Sequence, residues 1–145
     1  MSTSTSCRFC QIALHANYIV FEDDLSIAFL DYRPLFTGHT LLIPKAHYET
    51  LEDLPAALVG PFFLSVQLLA RAVEQGMQAE GSFVAINNRV SQSVPHLHVH
   101  IVPRRKKDGL RGFFWPRQAQ PGEEHMREAQ AAIRGALANL RASSG

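Results

Sequence analysis

The stretch of this chain that most restricts its fold is SVPHLHVHIVPRR, residues 93–105. Its three histidines alternate with three aliphatic residues: His96, His98 and His100 with Leu97, Val99 and Ile101. Because successive side chains of a β-strand point to opposite faces, this alternation predicts a strand, bracketed by prolines, over residues 95–103. The aliphatic side chains would then fill a core, while the three imidazoles would share the opposite face.

The remaining pattern predicts one α+β domain over residues 7–145 of the 145-residue chain, preceded by a disordered tail at residues 1–6. Four further strands are expected at residues 17–23, 26–32, 39–45 and 82–88. An apolar stripe predicts a helix between the third and fourth strands, capped by Asp53 and started late or kinked by Pro61. A second helix is expected at residues 123–140. Strands that follow one another without crossover helices predict an antiparallel sheet.

Two chemistries compete for the three histidines. Two or three imidazoles could hold one catalytic metal with an open position for water. Alternatively, one neutral imidazole could attack phosphorus while a hydrogen bond at its other nitrogen fixes the tautomer. Gln92 and Ser93 precede the strand and offer an amide and a hydroxyl to the oxygens of a reacting phosphate, which favours the second reading.

In the segment CRFC, Cys7 and Cys10 are separated by two residues, the spacing of one half of a tetrahedral zinc site. His47, just past a predicted strand, could supply a third ligand, and one of the strand histidines the fourth. A redox pair and two inert thiols are the alternatives. The redox reading is weaker because that motif normally precedes the helix of a βαβ unit, and none is predicted here.

Taken together, these segments resemble the histidine triad (HIT) family. The resemblance rests on QSVPHLHVHIVPR at Gln92–Arg104, CRFC near the start, AFLDYRP at residues 28–34 and GHTLLIPKAH at residues 38–47. It implies a five-stranded antiparallel sheet with two helices, a homodimer, and a purine nucleotide or dinucleoside polyphosphate as substrate.

The resemblance also implies roles for particular residues. His98 would attack the α-phosphorus to give a nucleotidyl-histidine, and His100 would support the phosphate, with Gln92 and Ser93 contacting the phosphate and the bridging oxygen. The nucleoside would lie against four residues, an acidic one for the ribose and three apolar ones for the base: Asp31, Phe9, Ile12 and Phe29. Plain core packing is the alternative for the three apolar residues. A structural Zn²⁺ would be held by the two cysteines and two histidines: Cys7, Cys10, His47 and His96.

One loop departs from the family pattern. The segment NNRVSQ is short and lacks the glycine that many relatives carry there, so either Asn87 or Asn88 could match the asparagine that contacts phosphate; Asn88 is preferred. After the strand, a basic run at residues 104–107 mildly favours a polyphosphate substrate. The aromatic residues 113–115 would form a dimer interface or a lid. His15, His39 and His125 are expected to be ordinary surface or core histidines.

The net charge, the N-terminal residues and the number of cysteines indicate the location and the partners to expect. The formal net charge is +1, so no strong field is directed at nucleic acid or at an anionic membrane. The first residues lack the apolar core of a signal peptide, no apolar run reaches about 18 residues, and only two cysteines occur. A cytoplasmic location without a membrane or nucleic-acid partner is therefore expected.

The sequence is compatible with several activities. The leading hypothesis is hydrolysis of a phosphoanhydride or phosphoramidate bond of an adenylyl-type nucleotide. A transferase or phosphorylase would differ only in the second step, in which a molecule other than water accepts the nucleotidyl group from the histidine. Two further hypotheses are a nucleotide-binding or scaffold protein with little turnover, and a hydrolase with a catalytic metal on all three histidines.

Overall fold

A computed structural model describes residues 7–15, 17–111 and 117–143, with only the backbone described at residues 12–15. The predictions for residues 1–6, for the side chains of Ile12 and His15 and for the aromatic residues 113–115 therefore lie outside the described residues. The chain divides after Asp108 into two compact units, each of which is described by itself.

The first unit is a five-stranded antiparallel sheet with helices, as the sequence predicts. In chain order its elements are α1 (Arg8–His15), β1 (Ile19–Glu22), β2 (Ser26–Leu30), β3 (Thr40–Pro44), a 3₁₀ turn (Leu51–Asp53), α2 (Ala56–Gly76), β4 (Gly81–Ala85) and β5 (Val99–Arg104). The strand order is β1-β2-β3-β5-β4, and every pairing is antiparallel. The second unit holds α3 (Glu123–Ser143), close to the predicted helix. The apolar residues of α3 are exposed: Met126, Ile133, Leu137 and Leu140.

One face of the sheet is covered by α2. The cross-strand row Ala28, Leu42 and Val99 contributes to this core, together with Leu97 and Ile101 from the signature segment. The predicted stripe of α2 supplies the other side through its buried apolar residues, Phe62, Val66, Leu69 and Val73. The aliphatic half of the alternating segment therefore lies in the core, as its periodicity predicts.

The other face of the sheet is covered by the N-terminal segment. Ile27, Phe29, Leu41 and Ile43 form a second buried cluster with Val94 and with the start of α1 at Cys7, Phe9 and Cys10. Leu41 pairs with His100 across β3 and β5, so this is the face that carries the histidines. The N-terminal segment thus closes the histidine face of the sheet.

Helix α2 differs from its prediction at the start. Asp53 does not cap it; its carboxylate accepts hydrogen bonds from the backbone and hydroxyl of Thr50, 3.1 and 2.9 Å away, and so caps the preceding 3₁₀ turn. The helix begins after Pro55 and continues through Pro61 instead of starting late. Pro61 lies early in the helix, where it removes a single backbone donor, and packing of the apolar stripe outweighs that loss.

The length and composition of α2 would also suffice to cross a membrane. Such a property is shared by apolar core helices of soluble proteins, and Phe62 and Leu69 of α2 lie buried against the sheet. We therefore treat α2 as a core helix of the domain.

Two more segments differ from the sequence prediction. The CxxC segment begins a helix, α1, that the sequence pattern does not predict, although antiparallel strands rather than a βαβ unit follow it. Strand β5 starts at Val99, not at residue 95, because the chain bends over residues 93–96. The backbone N–H of Leu97 donates to the carbonyl of Tyr48, so this part of the signature joins the loop after β3 instead of the strand ladder.

Candidate active site and metal centre

Four sulfur and nitrogen ligands predicted from the sequence meet at the edge of the histidine face. The ligand atoms of Cys7, Cys10, His47 and His96 all lie within 4.8 Å of one another. Cys7 Sγ is 3.4 Å from His96 Nδ1, and Cys10 Sγ is 3.4 Å from His47 Nδ1 and 3.6 Å from His96 Nδ1. Both cysteines are free thiols, so no disulfide competes for them.

These separations fit a tetrahedral zinc ion. With Zn–S bonds of about 2.3 Å and Zn–N bonds of about 2.0–2.1 Å, the sulfur and nitrogen ligands of a tetrahedron stand about 3.5 Å apart. His96 Nε2 donates to the carbonyl of Pro44 at 2.8 Å, which leaves the lone pair of Nδ1 facing the sulfurs. Burial lowers the pKa of His96 to about 4, so its imidazole is neutral, as a metal ligand must be.

The three signature histidines do not converge on one ion. His96 faces the two cysteines, whereas His98 and His100 line a separate cavity of about 550 Å³. This division is the one implied by the resemblance, and it removes the basis for a catalytic metal held by all three imidazoles. We call this space the nucleotide cavity, and its lining residues are Arg8, Phe9, Phe29, Asp31, Tyr32, Arg33, Leu41, Ser93, Val94, His98 and His100.

His98 presents a lone pair rather than a proton. Its Nδ1 is 2.7 Å from the carbonyl of His96, and a carbonyl can only accept, so the ring proton of neutral His98 is on Nδ1. Burial lowers the pKa of His98, against the opposing effects of this hydrogen bond and of Asp31. The imidazole is therefore neutral near pH 7, with an unprotonated Nε2 available as a nucleophile.

His100 presents the opposite tautomer, because His39 fixes it. The backbone N–H of Leu35 donates to His39 Nδ1 at 3.0 Å, so neutral His39 carries its proton on Nε2. That proton is donated to His100 Nδ1, 3.0 Å away, which leaves the proton of neutral His100 on its own Nε2. Burial, with the nearby His98 and His39, lowers the pKa of His100 to about 4. His100 is thus a neutral hydrogen-bond donor beside a neutral nucleophile.

His39 is one of the site residues that sequence reasoning missed. An ordinary surface or core role is expected for it, and its burial fits that expectation, but its contact with His100 gives it a positioning role. The segment GHTLLIPKAH contains the signal: His39 immediately precedes β3, and β3 pairs with β5, which carries His100.

Asp31, His39 and His100 also form a group of possible metal ligands. His39 Nε2 lies 3.7 Å from the Asp31 carboxylate and 3.0 Å from His100 Nδ1. A metal ion on His39 Nε2 would need a lone pair there, but Nε2 carries the proton because Nδ1 accepts the Leu35 N–H. This group is therefore a hydrogen-bonded relay rather than a metal centre.

The predicted nucleoside residues line the nucleotide cavity wherever their side chains are described. Asp31 is partly exposed at the end of β2, and one of its carboxylate oxygens accepts the backbone N–H of Arg33 at 2.9 Å. Phe9 and Phe29 meet edge to face, with ring centroids 5.7 Å apart, and Phe9 also contacts the ring of His98 at 4.9 Å. The two phenylalanines are both core residues and cavity walls, so the two readings of them are compatible.

Two predicted phosphate contacts lie outside the cavity. The Gln92 amide donates to the carbonyl of Glu49 at 2.5 Å and accepts from the backbone N–H of Arg89 at 2.9 Å. Asn88 accepts the backbone N–H of Leu51 at 2.9 Å. Both side chains therefore hold the loop against the segment after β3, while Ser93 alone of this group lines the cavity.

The basic run after β5 lies away from the site as well. Arg104 pairs with Asp108, Arg105 donates to the Met77 carbonyl, and Lys106 lies 3.9 Å from a Glu80 carboxylate oxygen. These residues do not line the nucleotide cavity. The run therefore gives no support to a polyphosphate substrate, contrary to the expectation from sequence.

Comparison with known proteins agrees with this geometry. Residues 15–107 match the model of the HIT domain. The chain is 35% identical over 108 residues to an Arabidopsis thaliana adenylylsulfatase, HINT3, covering 72% of this chain and 55% of the relative. It is 36% identical over 92 residues to the asymmetrical bis(5'-nucleosyl)-tetraphosphatase of Schizosaccharomyces pombe, covering 62% and 50%. The chain thus spans about half the length of these two enzymes.

A solved structure extends the likeness over nearly the whole chain. A Zn-bound histidine triad family protein from Mycobacterium smegmatis is 36% identical, with a TM-score of 0.67 and coverage of 95% of this chain and 97% of that chain. Together with the sheet, the signature histidines and the domain match, this shows that the chain belongs to the histidine triad family.

Proposed function

We propose that this protein is a nucleotidyl hydrolase that cleaves a phosphoanhydride or phosphoramidate bond of an adenylyl-type nucleotide. The observation that carries the proposal is the pairing of opposite tautomers in one cavity: His98 offers a lone pair and His100 a proton. A protein that only binds nucleotides has no need of a neutral nucleophile beside a fixed donor.

The proposed reaction has two steps. His98 Nε2 attacks the α-phosphorus, a P–N bond forms, and the leaving group departs with the electron pair of the broken P–O or P–N bond. Water then attacks the phosphorus of the nucleotidyl-histidine: a new P–O bond forms, the P–N bond breaks with its electron pair returning to His98 Nε2, and the proton lost by the water goes to the departed leaving group or to solvent. The Nε2–H of His100 donates to the phosphoryl group as charge develops, and the His96 carbonyl stabilises the Nδ1–H of the modified His98.

The relatives support the reaction class. One is named an adenylylsulfatase and the other a dinucleoside tetraphosphatase, so both names describe cleavage at nucleotide phosphorus. In this chain Asp31 would accept hydrogen bonds from the ribose hydroxyls, and Phe9 and Phe29 would contact the base.

We also propose that Zn²⁺ occupies the Cys7, Cys10, His47 and His96 cluster. The ion would fix the start of α1 and the bend before β5 in place, so its role is structural and no reaction step uses it. Thiolate ligands require reduced cysteines, which supports a cytoplasmic location.

Homodimerisation is proposed on the apolar surface that the first unit leaves exposed. Val59, Leu64 and Leu68 lie on the outer side of α2, and Val84 lies on β4, an edge strand that contacts α2. A second copy would cover these apolar residues. Light scattering after size-exclusion chromatography should give a dimer, and Leu68→Arg a monomer; a wild-type monomer would contradict the proposal.

The activity is tested with His98→Ala and a matched control. His125→Ala removes an exposed histidine of α3, in the second unit. A fluorogenic adenylyl phosphoramidate should be turned over by the wild type and by His125→Ala, but not by His98→Ala. Equal, near-zero rates for all three would favour the nucleotide-binding hypothesis. Turnover in ¹⁸O-labelled water separates hydrolysis, which labels the mononucleotide, from phosphorolysis, which does not.

A further inference from the structure

A second cavity of about 380 Å³ adjoins the nucleotide cavity. The two cavities share three lining residues, Arg8, Ser93 and Val94, so these side chains lie where the two cavities meet. The second cavity continues along Glu49 and along His47 at the edge of the metal centre. We call it the outer cavity.

The two arginines of the site are distributed unequally. Arg8 lines both cavities, whereas Arg33 lines only the nucleotide cavity. Within the described part of the chain, neither guanidinium has a hydrogen-bonded or ion-paired partner, whereas Arg89 and Arg104 are paired with carboxylates. A zinc ion with two thiolates and two neutral imidazoles adds no net charge, so Arg8 is a cation without an ion-paired carboxylate among the described residues, at the place where the two cavities meet.

Resting on the proposed function, we propose that the outer cavity receives the leaving group and that Arg8 selects compact anionic leaving groups such as sulfate. When the bond to phosphorus breaks, an oxyanion leaving group gains negative charge, which a guanidinium at the junction stabilises by charge-assisted hydrogen bonds. A leaving amine becomes neutral on taking up a proton and gains nothing from the same cation.

Glu49 sets the length that the leaving group can have. Its side chain is exposed and, of the two cavities, lines only the outer one. A sulfate bound by Arg8 would be short enough to stay at the residues that both cavities share, whereas a longer polyphosphate would extend into the outer cavity and bring further negative charge toward the Glu49 carboxylate. The basic run of residues 104–107 lines neither cavity, and its Arg104 and Lys106 lie beside the carboxylates of Asp108 and Glu80.

The experiment compares three substrates that share the adenylyl group: adenosine 5′-phosphosulfate, adenosine 5′-phosphoramidate and diadenosine tetraphosphate. We expect Arg8→Gln to lower kcat/KM for the phosphosulfate by about 10- to 100-fold, and that for the phosphoramidate less than about threefold. Arg33→Gln is the matched control, because it removes a guanidinium from the nucleotide cavity alone and should change both substrates by the same factor. Glu49→Gln should raise turnover of the tetraphosphate relative to the phosphosulfate.

The outcomes separate this inference from the proposed function. If the wild type cleaves none of the three substrates, the proposed function fails. If the wild type cleaves them but Arg8→Gln lowers all three equally, Arg8 binds the nucleotide and the selection model is wrong. Because Arg8 adjoins Cys7, zinc content and thermal midpoint are measured on each variant. Should Arg8→Gln lose zinc, Arg8→Lys decides in its place: it should preserve most of the phosphosulfate activity, and equal losses on all substrates overturn the inference.

Discussion

Replacing His39 tests whether the relay from Leu35 through His39 to His100 sets the chemistry of the site. His39→Leu is close in size but can neither accept the Leu35 N–H nor donate to His100 Nδ1, two bonds of 3.0 Å each. His39→Gln is the matched variant, since its carboxamide can accept from one side and donate to the other. Both variants leave His98 and its bond to the His96 carbonyl unchanged.

The magnitude follows from the bond that fixes the tautomer. A neutral hydrogen bond contributes about 0.5–1.5 kcal/mol, and each 1.36 kcal/mol corresponds to a tenfold change in rate. Losing the His39–His100 bond should therefore reduce kcat by about 2- to 10-fold in His39→Leu, with little change in KM, because the Nε2 donor acts mainly on charge that develops in the transition state. His98→Ala, which removes the nucleophile, should be several orders of magnitude slower than either variant.

Steady-state kinetics on an adenylyl phosphoramidate and ¹⁵N NMR of the imidazoles give independent readouts. The spectrum of the wild type should show His100 protonated on Nε2, and His39→Leu should show both tautomers. His39→Gln should recover most of the rate. If His39→Leu keeps the wild-type kcat and a single Nε2–H tautomer of His100, the relay has no role and the reasoning is wrong.

Three further predictions concern the metal, the pH dependence and the core. Cys10→Ser should abolish stoichiometric zinc binding in metal analysis and lower the thermal midpoint by roughly 10 °C or more, with retained zinc contradicting the assigned ligands. The folded-state pKa of His100, about 4, lies below its unfolded value of 6.5, so the unfolded chain takes up the proton first and stability falls as pH drops from about 6.5 toward 4. Denaturant unfolding should show a loss of about 2 kcal/mol from this residue at pH 5, and His100→Asn should lack that part of the acid sensitivity. Leu97→Ala, at a fully buried position, should cost about 2–5 kcal/mol in the same assay, whereas Val90→Ala, at an exposed loop position, should cost less than about 0.5 kcal/mol; equal losses would mean that Leu97 is not a core residue.

Local periodicity accounts for much of the fold. Alternation in residues 95–103 assigned Leu97, Val99 and Ile101 to the core, and a three-to-four residue spacing assigned the stripe of α2. Both patterns depend only on backbone geometry, which is the same in any protein. Strand ends and helix starts were less predictable, because Asp53 and Pro61 have several acceptable local roles and the surrounding packing selects one.

The candidate site, like the fold, was predictable from the sequence only in part. Its residue types left both a metal and a phosphate open for the strand histidines, and only the resemblance to a known family assigned His96 to zinc and His98 and His100 to phosphate. Gln92 and Asn88 could not be placed, since an amide side chain bonds equally well to a phosphate or to the carbonyl and N–H groups of its own loop, and here the loop holds both.

The sequence by itself determined which side chains could share a face, because residues two apart on a strand must do so. Only the tertiary structure decided which proton each imidazole carries. That choice depends on the single partner at the other ring nitrogen, the His96 carbonyl for His98 and the His39 N–H for His100. His39 and His100 are 61 residues apart in the chain and meet because β3 pairs with β5. Packing of the start of α1 against the histidine face of the sheet likewise brought Arg8 to the place where two cavities meet, a position that no local pattern encodes.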